Sequence, residues 1–237
     1  MGSKKRKNRS WASRLFRFFG KVLVYGFLLS VVYIFFCKWL NPPFTITQVS
    51  AIFEGYDIHR DYISYNDMGN NIKLAVMAGE DQLFPDHNGF DFKSIEKALK
   101  HNQKNKSLHG ASTISQQTAK NVFLWQHGGW FRKGLEVYFT FMIEHIWGKQ
   151  RILEMYLNVA QMGPGVFGTE AAAQYYFHKN SGDLSRAEAA QIASCLPNPV
   201  KFTIHPMSGR VASRYPWILN QMRNLQSDPD ILNILHK

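Results

Sequence analysis

The most extended hydrophobic pattern in the chain is an uncharged run near its beginning. Residues 22–37 carry no charge, and residues 38–40 complete a span of 19 residues. At 1.5 Å of rise per residue, a helix of this length covers about 28 Å, close to the roughly 30 Å of a bilayer core. The pattern predicts a transmembrane helix over residues 22–40, with Lys21 and Lys38 able to reach the headgroups at its ends.

The flanks of this span favour a retained anchor over a cleaved signal peptide. Residues 1–21 contain eight Lys or Arg residues and no acid. Because a basic flank stays in the cytoplasm, residues 1–21 are predicted to be a cytoplasmic tail, and residues 41–237 a periplasmic domain. A signal peptide is the alternative, but Leu40-Asn41-Pro42-Pro43 lacks the small residues of a cleavage site.

Beyond the span, apolar spacing predicts one mainly α-helical domain with a core of its own. Residues 130–147 are apolar on nearly every side, which is typical of a central buried helix. Capping boxes at Thr113-x-x-Gln116 and Ser185-x-x-Glu188 mark two helix starts. Segment 44–63 gives only a weak indication of short strands. Further helices are predicted over residues 71–78, after a cap at Asp91, over 187–196 and over about 211–225.

The net charge of +11 comes mostly from the region before the domain. Nine cations and no acid lie at or before Lys38, which leaves 19 cations against 17 acids in the rest of the chain. The domain is therefore nearly neutral, and no nucleic-acid partner is expected. The run Lys4-Lys5-Arg6-Lys7 is typical of a positive-inside signal in this position.

Cysteine and histidine spacing predicts neither a disulfide framework nor a metal site. Cys37 lies in the predicted span and Cys195 in an apolar helix, so the two are not expected to pair. The nine histidines lack the spacing of a zinc site, and no structural metal is expected.

An acidic cluster, residues 80–91, closes the first apolar helix of the domain. Glu80 stands at the helix end, where partial desolvation and the negative pole of the helix both raise the pKa of a carboxyl group. A raised pKa brings a carboxylate toward the range in which a general base is useful. Glu80 is therefore a candidate base.

A second polar segment, residues 110–121, has a helical arrangement. Thr113, Gln116, Gln117 and Lys120 stand at positions i, i+3, i+4 and i+7, so on a helix they share one face that ends in a cation. Such a face suits a sugar that carries phosphate.

These two segments resemble the first two signature motifs of the bacterial peptidoglycan glycosyltransferases (glycosyltransferase family 51), in particular the short monofunctional biosynthetic transglycosylases. The sequence departs from the family pattern at Ala111 and Ser115, where the family usually has Gly and Thr. Neither change removes a side chain with an assigned role. The resemblance covers roughly residues 70–200 and continues through residues 132–136, 152–158, 163–177 and 184–199.

The resemblance implies a lysozyme-like fold and the polymerisation of lipid II, a disaccharide-pentapeptide joined by an α-linked diphosphate to a polyprenyl chain. The C4 hydroxyl of one sugar attacks the anomeric carbon of another and inverts it to a β-1,4 bond. Glu80 then accepts the hydroxyl proton. Asp81 and His87 are expected to have a supporting, structural role, in which they orient the loop around Glu80.

The resemblance places Glu136 in the cleft as a second carboxylate. Arg132 stands one helical turn before it, so the two can meet on one face, and a guanidinium favours the ionised acid. A diphosphate leaves as an anion and needs cations rather than the protonated acid of a glycoside hydrolase. Lys120, Arg132 and Lys133 supply those cations. Glu136 then stabilises positive charge on the sugar or holds Arg132; a plain surface ion pair is the alternative.

The other expected substrate contacts are hydrogen bonds to sugar hydroxyls and phosphate oxygens. Ordinary capping and an exposed polar helix face would explain the same residues. The aromatic segment 123–131 can either enter the membrane or pack in the core. The residues expected to make these contacts are Ser112, Thr113, Gln116, Gln117 and Asn121.

The expected partners are lipid II, the growing glycan chain, the lipid bilayer and proteins of cell-wall synthesis or division. No cofactor is required, although a divalent cation can bridge the diphosphate. The chain ends at Lys237, too early for a transpeptidase domain. Two other functions remain open: a lytic enzyme that cleaves existing glycan, and a scaffold without catalysis.

Overall fold

The computed structural model describes residues 11–104, 110, 112–126 and 128–236. The chain divides into two compact units, Met1–Leu40 and Asn41–Lys237. The described part of the first unit is helix α1, Trp11–Trp39. It begins before the predicted span, so residues 11–21 of the predicted tail are helical, while residues 1–10 lie outside the described residues.

Helix α1 is long and apolar enough to cross a membrane over Ser13–Trp39, with a mean hydropathy of 2.0. Its side chains are largely exposed along this stretch. This exposure distinguishes α1 from the core helix of a soluble domain, which would be buried.

The second unit is mainly α-helical, which confirms the predicted fold class. Strands β1 (His59–Arg60), β2 (Gln161–Gly163) and β3 (Val166–Phe167) form a small sheet in which β3 is central, parallel to β1 and antiparallel to β2. The helices are α2 (Ile46–Phe53), α3 (Asn70–Glu80), α4 (Phe92–Lys104), α5 (Ile114–Phe123), α6 (Trp130–Ile146), α7 (Lys149–Val159), α8 (Thr169–Phe177), α9 (Arg186–Cys195), α10 (Gly209–Leu225) and α11 (Pro229–His236), with a 3-10 turn at Ser181–Asp183.

Helix α3 is the central helix of this unit. Every residue from Ile72 to Ala78 is buried, and the helix packs against α9 and α10. Helix α5 packs against α6 and α7. Because α3 is enclosed on all sides until its last turn, its C-terminal end is the point at which a polar side chain can leave the core.

The prediction that residues 130–147 form a central buried helix is wrong. Helix α6 covers this segment, but only Glu136, Thr140 and Ile143 are buried within it, while Val137 and Phe141 are exposed. The segment is apolar on nearly every side, but part of this apolar surface faces outward instead of into the core.

Segment 44–63 also differs from its prediction. It holds helix α2 and only the two-residue strand β1. The two predicted capping boxes are confirmed: Thr113 and Gln116 cap α5 reciprocally, and Ser185 and Glu188 cap α9. Local capping chemistry was therefore a better guide than the weak strand signal.

Candidate active site

Glu80 is the last residue of α3, at the point where the helix leaves the core. Its side chain keeps 11% of its surface exposed. Burial raises the pKa of Glu80, and this effect is opposed by a hydrogen bond from Gln117 and by the positive charge of Arg214. The direction agrees with the sequence-based expectation, because desolvation disfavours the charged carboxylate.

Each carboxylate oxygen of Glu80 accepts one hydrogen bond from a different helix. Gln117 Nε2 on α5 donates to Oε2 at 2.9 Å, and Arg214 Nη2 on α10 donates to Oε1 at 3.0 Å. Arg214 Nη2 also donates to the carbonyl oxygen of Gly79 at 2.8 Å. These contacts fix the orientation of the carboxylate, which still has lone pairs for a further donor.

Tyr156 on α7 orients Gln117 from behind. Its hydroxyl donates to Gln117 Oε1 at 3.0 Å, so the amide presents its Nε2 to Glu80. Burial raises the pKa of Tyr156 well above its ordinary value, and the hydroxyl therefore remains a donor at neutral pH. The result is a chain of contacts from the buried Tyr156 through Gln117 to Glu80.

Sequence reasoning missed both Arg214 and Tyr156 as contributors to the site. Arg214 lies 134 residues from Glu80 along the chain, beyond the segment in which the resemblance was traced. Its only local signal is that it stands one helical turn after Arg210, and cations at that spacing on a helix are usually solvated. Tyr156 lies in a segment of the resemblance but carried no assigned role.

Glu80 faces a groove of about 880 Å³. The groove is lined by five cations and two carboxylates and is therefore net positive, which suits an anionic ligand. Arg210 and Arg214 on α10 are the cations that were not predicted. The predicted site residues that line the groove are Glu80, Ser112, Gln116, Gln117, Lys120, Arg132, Lys133 and Glu136.

Glu136 lies on the groove wall between two cations of its own helix. Arg132 Nη1 donates to Glu136 Oε2 at 2.7 Å, and Lys133 Nζ donates to Oε1. The Glu136 side chain is 4% exposed, so this is not the plain surface ion pair of the alternative reading. Two cations against one buried carboxylate leave a local surplus of positive charge.

Two guanidinium groups in the groove have spare donors. In the described part of the chain, Arg132 Nε and Arg214 Nε are buried and have no hydrogen-bond partner. Buried polar atoms are normally satisfied, and those that are not are often completed by a ligand. Both atoms belong to residues that line the groove, so an anionic ligand there would supply acceptors.

Lys120 on α5 lines the groove together with the two carboxylates. Burial lowers the pKa of Lys120, and the charges of Arg132 and Lys133 lower it further, while those of Glu136 and Glu80 raise it. No ion pair of Lys120 occurs among the described residues. Its charge is therefore available to a ligand.

Thr113 and Gln116 are engaged in the start of α5. Gln116 N donates to Thr113 Oγ1 at 3.2 Å, and Thr113 N donates to Gln116 Oε1 at 3.0 Å. Thr113 Oγ1 also donates to the carbonyl oxygen of Gly89 at 2.7 Å. The structure thus places Thr113 in the helix cap, away from the groove lining, and gives Gln116 a capping contact in addition to its place on the groove wall.

Asp81 and His87 form a buried pair behind Glu80. His87 Nε2 lies 3.0 Å from both carboxylate oxygens of Asp81, and Ile114 N donates to Asp81 Oδ2 at 2.9 Å. Gly89 N donates to His87 Nδ1 at 3.1 Å. Asp81 therefore joins the loop after α3 to the first residue of α5, and so connects the segments that hold Glu80 and Gln117.

A second chamber of about 590 Å³ shares Gln117 and Lys120 with the groove. Asn121 lines it and accepts a hydrogen bond from Gln126 Nε2 at 3.0 Å. Its other polar side chains are mainly neutral, in contrast to the cationic groove. They include Thr47, Ser50, Gln126, Gln161 and Asn198.

The aromatic segment 123–131 divides between the two readings left open by the sequence. Phe123 stacks on Phe139 with ring centroids 4.6 Å apart, so this end packs in the domain. Trp130 and Phe131 are exposed, at 92% and 75%.

Among the described residues, no group of three or more His, Cys, Asp or Glu is arranged to hold a metal ion.

The family model described as Transglycosylase matches residues 47–223. This range includes Glu80 and all five cations of the groove, among them Arg214. The chain therefore belongs to the transglycosylase family and is a glycosyltransferase.

Its relatives are biosynthetic peptidoglycan transglycosylases. The chain is 45% identical over 226 residues to that of Pseudomonas aeruginosa, which covers 93% of this chain and 97% of the relative. It is 54% identical over 186 residues to those of Shigella boydii serotype 4 and Escherichia coli K12, with 77% of each chain covered. Together with the apolar helix α1, these relatives point to a membrane-anchored enzyme of the periplasm.

Proposed function

We propose that the chain polymerises lipid II into β-1,4-linked glycan strands and releases polyprenyl diphosphate, with Glu80 as the general base. The observation that carries the proposal is the convergence of a largely buried carboxylate and five cations in one groove. Glu80 accepts the proton of the attacking C4 hydroxyl while the new bond forms at the anomeric carbon. A positioned base of this kind contributes typically 10²–10⁴-fold to the rate.

The cations of the groove stabilise the leaving diphosphate. Lys120 forms no ion pair within the described chain, and Arg132 has a buried Nε without an acceptor. Donors fixed in advance around a developing anion stabilise it without reorganisation. Glu136 keeps Arg132 and Lys133 in place, or acts on positive charge at the sugar ring; a double-mutant cycle separates these roles.

The second chamber suits a sugar better than a diphosphate. Apart from Lys120 and Glu54, its polar side chains are amides and hydroxyls, and Trp125 adds an aromatic face. Neutral hydrogen-bonding groups with an aromatic surface are suited to carbohydrate. We assign the chamber to a saccharide unit next to the reacting centre, with Asn121 and Gln117 as contacts.

A lytic reaction is less well supported by the same geometry. A glycoside hydrolase of the usual kind needs a protonated carboxylic acid to assist an alcohol leaving group. Each carboxylate oxygen of Glu136 instead accepts a hydrogen bond from a cation, Oε2 from Arg132 and Oε1 from Lys133, so neither oxygen is left to assist a leaving group. The proposed reaction has no step that uses a cofactor. A divalent cation would bind to the diphosphate of the substrate.

The proposed topology has the basic N-terminal tail in the cytoplasm, α1 in the inner membrane and the domain 41–237 in the periplasm. The asymmetry of charge around α1 supports this orientation. Trp130 and Phe131 are exposed on the surface of the domain and are suited to contact with the bilayer. We also expect contact with other cell-wall synthesis or division proteins, and no transpeptidase activity.

The proposal is tested with purified full-length protein in detergent and labelled lipid II. The expected products are long glycan strands that a muramidase cuts to disaccharide units. Shortening of added glycan without growth would indicate the lytic alternative. A scaffold would give neither reaction.

A further inference from the structure

Glu144 and Lys149 stand at unfavourable ends of their helices. Glu144 lies in the last turn of α6, and Lys149 is the first residue of α7. A carboxylate is disfavoured at the negative C-terminal pole of a helix, and an ammonium group is disfavoured at the positive N-terminal pole. Neither residue lines the groove or the second chamber. Their charges therefore serve neither the local stability of the two helices nor direct contact with a ligand in these cavities.

The two residues contact each other where α6 is followed by α7. Lys149 Nζ donates to Glu144 Oε1 at 2.7 Å, and the Glu144 side chain is only 4% exposed. An enclosed ion pair is a weak source of stability, because the desolvation of both charges opposes their attraction. Its hydrogen bonds are directional, however, so it fixes the geometry of the groups around it.

Lys149 also holds the loop that follows Glu80. Its Nζ donates to the carbonyl oxygen of His87 and lies 4.6 Å from the ring centroid of Phe84. Residues 81–89 form turns and bends without a helix or strand. The conformation of this loop therefore depends on side-chain contacts, and one ammonium group contacts it at two points.

Glu144 holds the start of α5 and the end of the same loop. Ser115 Oγ on α5 is buried and donates to Glu144 Oε1. The loop packs closely on this side chain, since a Cβ atom at Gly89 would lie 3.0 Å from Glu144 Cγ. Glu144 thus contacts both segments that carry the base and its hydrogen-bond donor.

These contacts close a polar ring beneath Glu80. On the side of the base, Asp81 joins His87 Nε2 to the backbone N of Ile114. Asp81 directly follows Glu80, and Gln117 lies two residues after Ser115. The members of the polar ring are Asp81, His87, Lys149, Glu144, Ser115 and Ile114.

We propose that Lys149 and Glu144 are positioning residues of the glycosyl transfer, which hold the Glu80 carboxylate and the Gln117 amide in register through the polar ring. This inference rests on the role of Glu80 given under the proposed function. The hydrogen bond from Gln117 to Glu80 joins the loop side of the ring to the α5 side. When the ring is opened, the two sides can shift relative to each other, and a displacement of about 1 Å at a reacting group can cost about 10²-fold in rate.

The test uses purified full-length protein in detergent with labelled lipid II. Lys149→Met removes the ammonium group and keeps the length of the side chain. Its kcat should fall about 10–100-fold. KM should stay close to that of wild type, because the lost contact serves the reacting groups rather than substrate binding. Lys149→Arg, which keeps the charge and the donors, should recover part of kcat.

A second readout needs no substrate. Deuterium exchange of the backbone amides of residues 81–89, followed by mass spectrometry, measures how firmly the loop is held. Exchange should be faster in Lys149→Met than in wild type. Unchanged exchange would overturn the proposal, since the loop would then be held without Lys149.

The matched control is Glu170→Gln. Glu170 is also a buried carboxylate, and it accepts a hydrogen bond from Ser181 N at 2.7 Å. It lies on α8 and lines neither the groove nor the second chamber. This variant should lower the unfolding midpoint but leave kcat and the exchange of the loop unchanged. If it lowered kcat as much as Lys149→Met does, the loss would reflect general destabilisation and the proposal would be rejected.

The double variant Lys149→Met/Glu144→Gln separates positioning from the burial of charge. Lys149→Met alone leaves the Glu144 carboxylate without its cation, which destabilises the fold. Glu144→Gln removes that unpaired charge, so the double variant should regain stability. Its kcat should stay low, because the carbonyl oxygen of His87 still lacks its donor. A kcat that recovered together with stability would overturn the proposal. The double variant also provides the test if Lys149→Met does not fold.

The positioning role and the proposed function fail in different ways. A wild-type protein that does not extend lipid II would reject the proposed function, and the positioning of a base with it. An active wild type with an unaffected Lys149→Met variant would reject only the positioning role. Faster exchange of the loop at an unchanged kcat would do the same.

Discussion

Arg214 Nη2 lies 3.0 Å from Glu80 Oε1 and joins two residues that are 134 positions apart in the chain. The pair is largely enclosed, with side-chain exposures of 18% and 11%. Arg214 lowers the pKa of Glu80, whereas burial raises it. Arg214 therefore acts as a positioning residue that orients the base and opposes the rise of its pKa.

The Arg214→Gln variant should move the acid limb of the pH–rate profile to higher pH. Without the guanidinium, burial acts with less opposition, so the pKa of Glu80 rises further and less carboxylate is present at a given pH. Activity lost near neutral pH should return in part as the pH is raised. The measurement is kcat/KM against pH for wild type, Arg214→Gln and Arg214→Lys.

Lysine at this position should restore part of the original profile, because it keeps the charge but not the planar geometry. A rate lowered equally at every pH, with the acid limb unmoved, would mean that Arg214 has only a structural role.

On the alkaline side, the wild-type rate should begin to fall at a pH below the one at which an ordinary lysine side chain loses its charge. The pKa of Lys120 is lowered by burial, and its charge is lost as the pH rises through that pKa.

The Glu80→Gln variant should lose about 10²–10⁴-fold of the polymerisation rate, the usual contribution of a general base. The protein should remain folded, because the amide keeps an oxygen that can accept from Arg214. Turnover of labelled lipid II and a thermal melt give the two readouts. Glu96→Gln, in an exposed pair with Lys100, is the matched control and should retain its activity; polymerisation retained by Glu80→Gln would reject the base assignment.

The Tyr156→Phe variant should destabilise the domain by about 0.5–1.5 kcal/mol, the usual net contribution of one intramolecular hydrogen bond. The acceptor is Gln117 Oε1. Since Phe keeps the packing volume, the loss belongs to the hydrogen bond. Urea unfolding measures it, and a parallel fall in kcat is expected because the Gln117 amide is then free to rotate away from Glu80. An unchanged midpoint together with an unchanged kcat would remove Tyr156 from the site.

The parts of the site that could be predicted from sequence are those set by local spacing. Glu80 ends an apolar helix, and Arg132 stands one turn before Glu136. The predicted contact of that pair is confirmed at 2.7 Å. The same local logic predicted the capping box of Thr113 and Gln116. Helix geometry alone brings such residues together, so no knowledge of tertiary packing is needed.

The parts that could not be predicted depend on how helices meet. Arg214 reaches Glu80 only because α10 packs against α3, and Tyr156 reaches Gln117 because α7 packs against α5. The buried α6 was predicted wrongly for a related reason. Periodicity cannot tell an apolar face that meets the core from one that faces lipid or another surface, and Phe141 is such an exposed residue.

A double-mutant cycle of Glu136→Gln and Arg132→Ala should show strong coupling. Glu136 Oε2 accepts a hydrogen bond from Arg132 Nη1, and the Glu136 side chain is only 4% exposed to solvent. If Glu136 acts by holding Arg132, then Glu136→Gln should lower kcat in the wild-type background and have little further effect once Arg132 is gone. Interacting pairs of this kind typically show coupling of about 0.5–3 kcal/mol. The measurement is kcat for the four proteins on labelled lipid II. Additive losses would instead mean that Glu136 acts without the arginine, either through Lys133 or on the charge at the sugar ring.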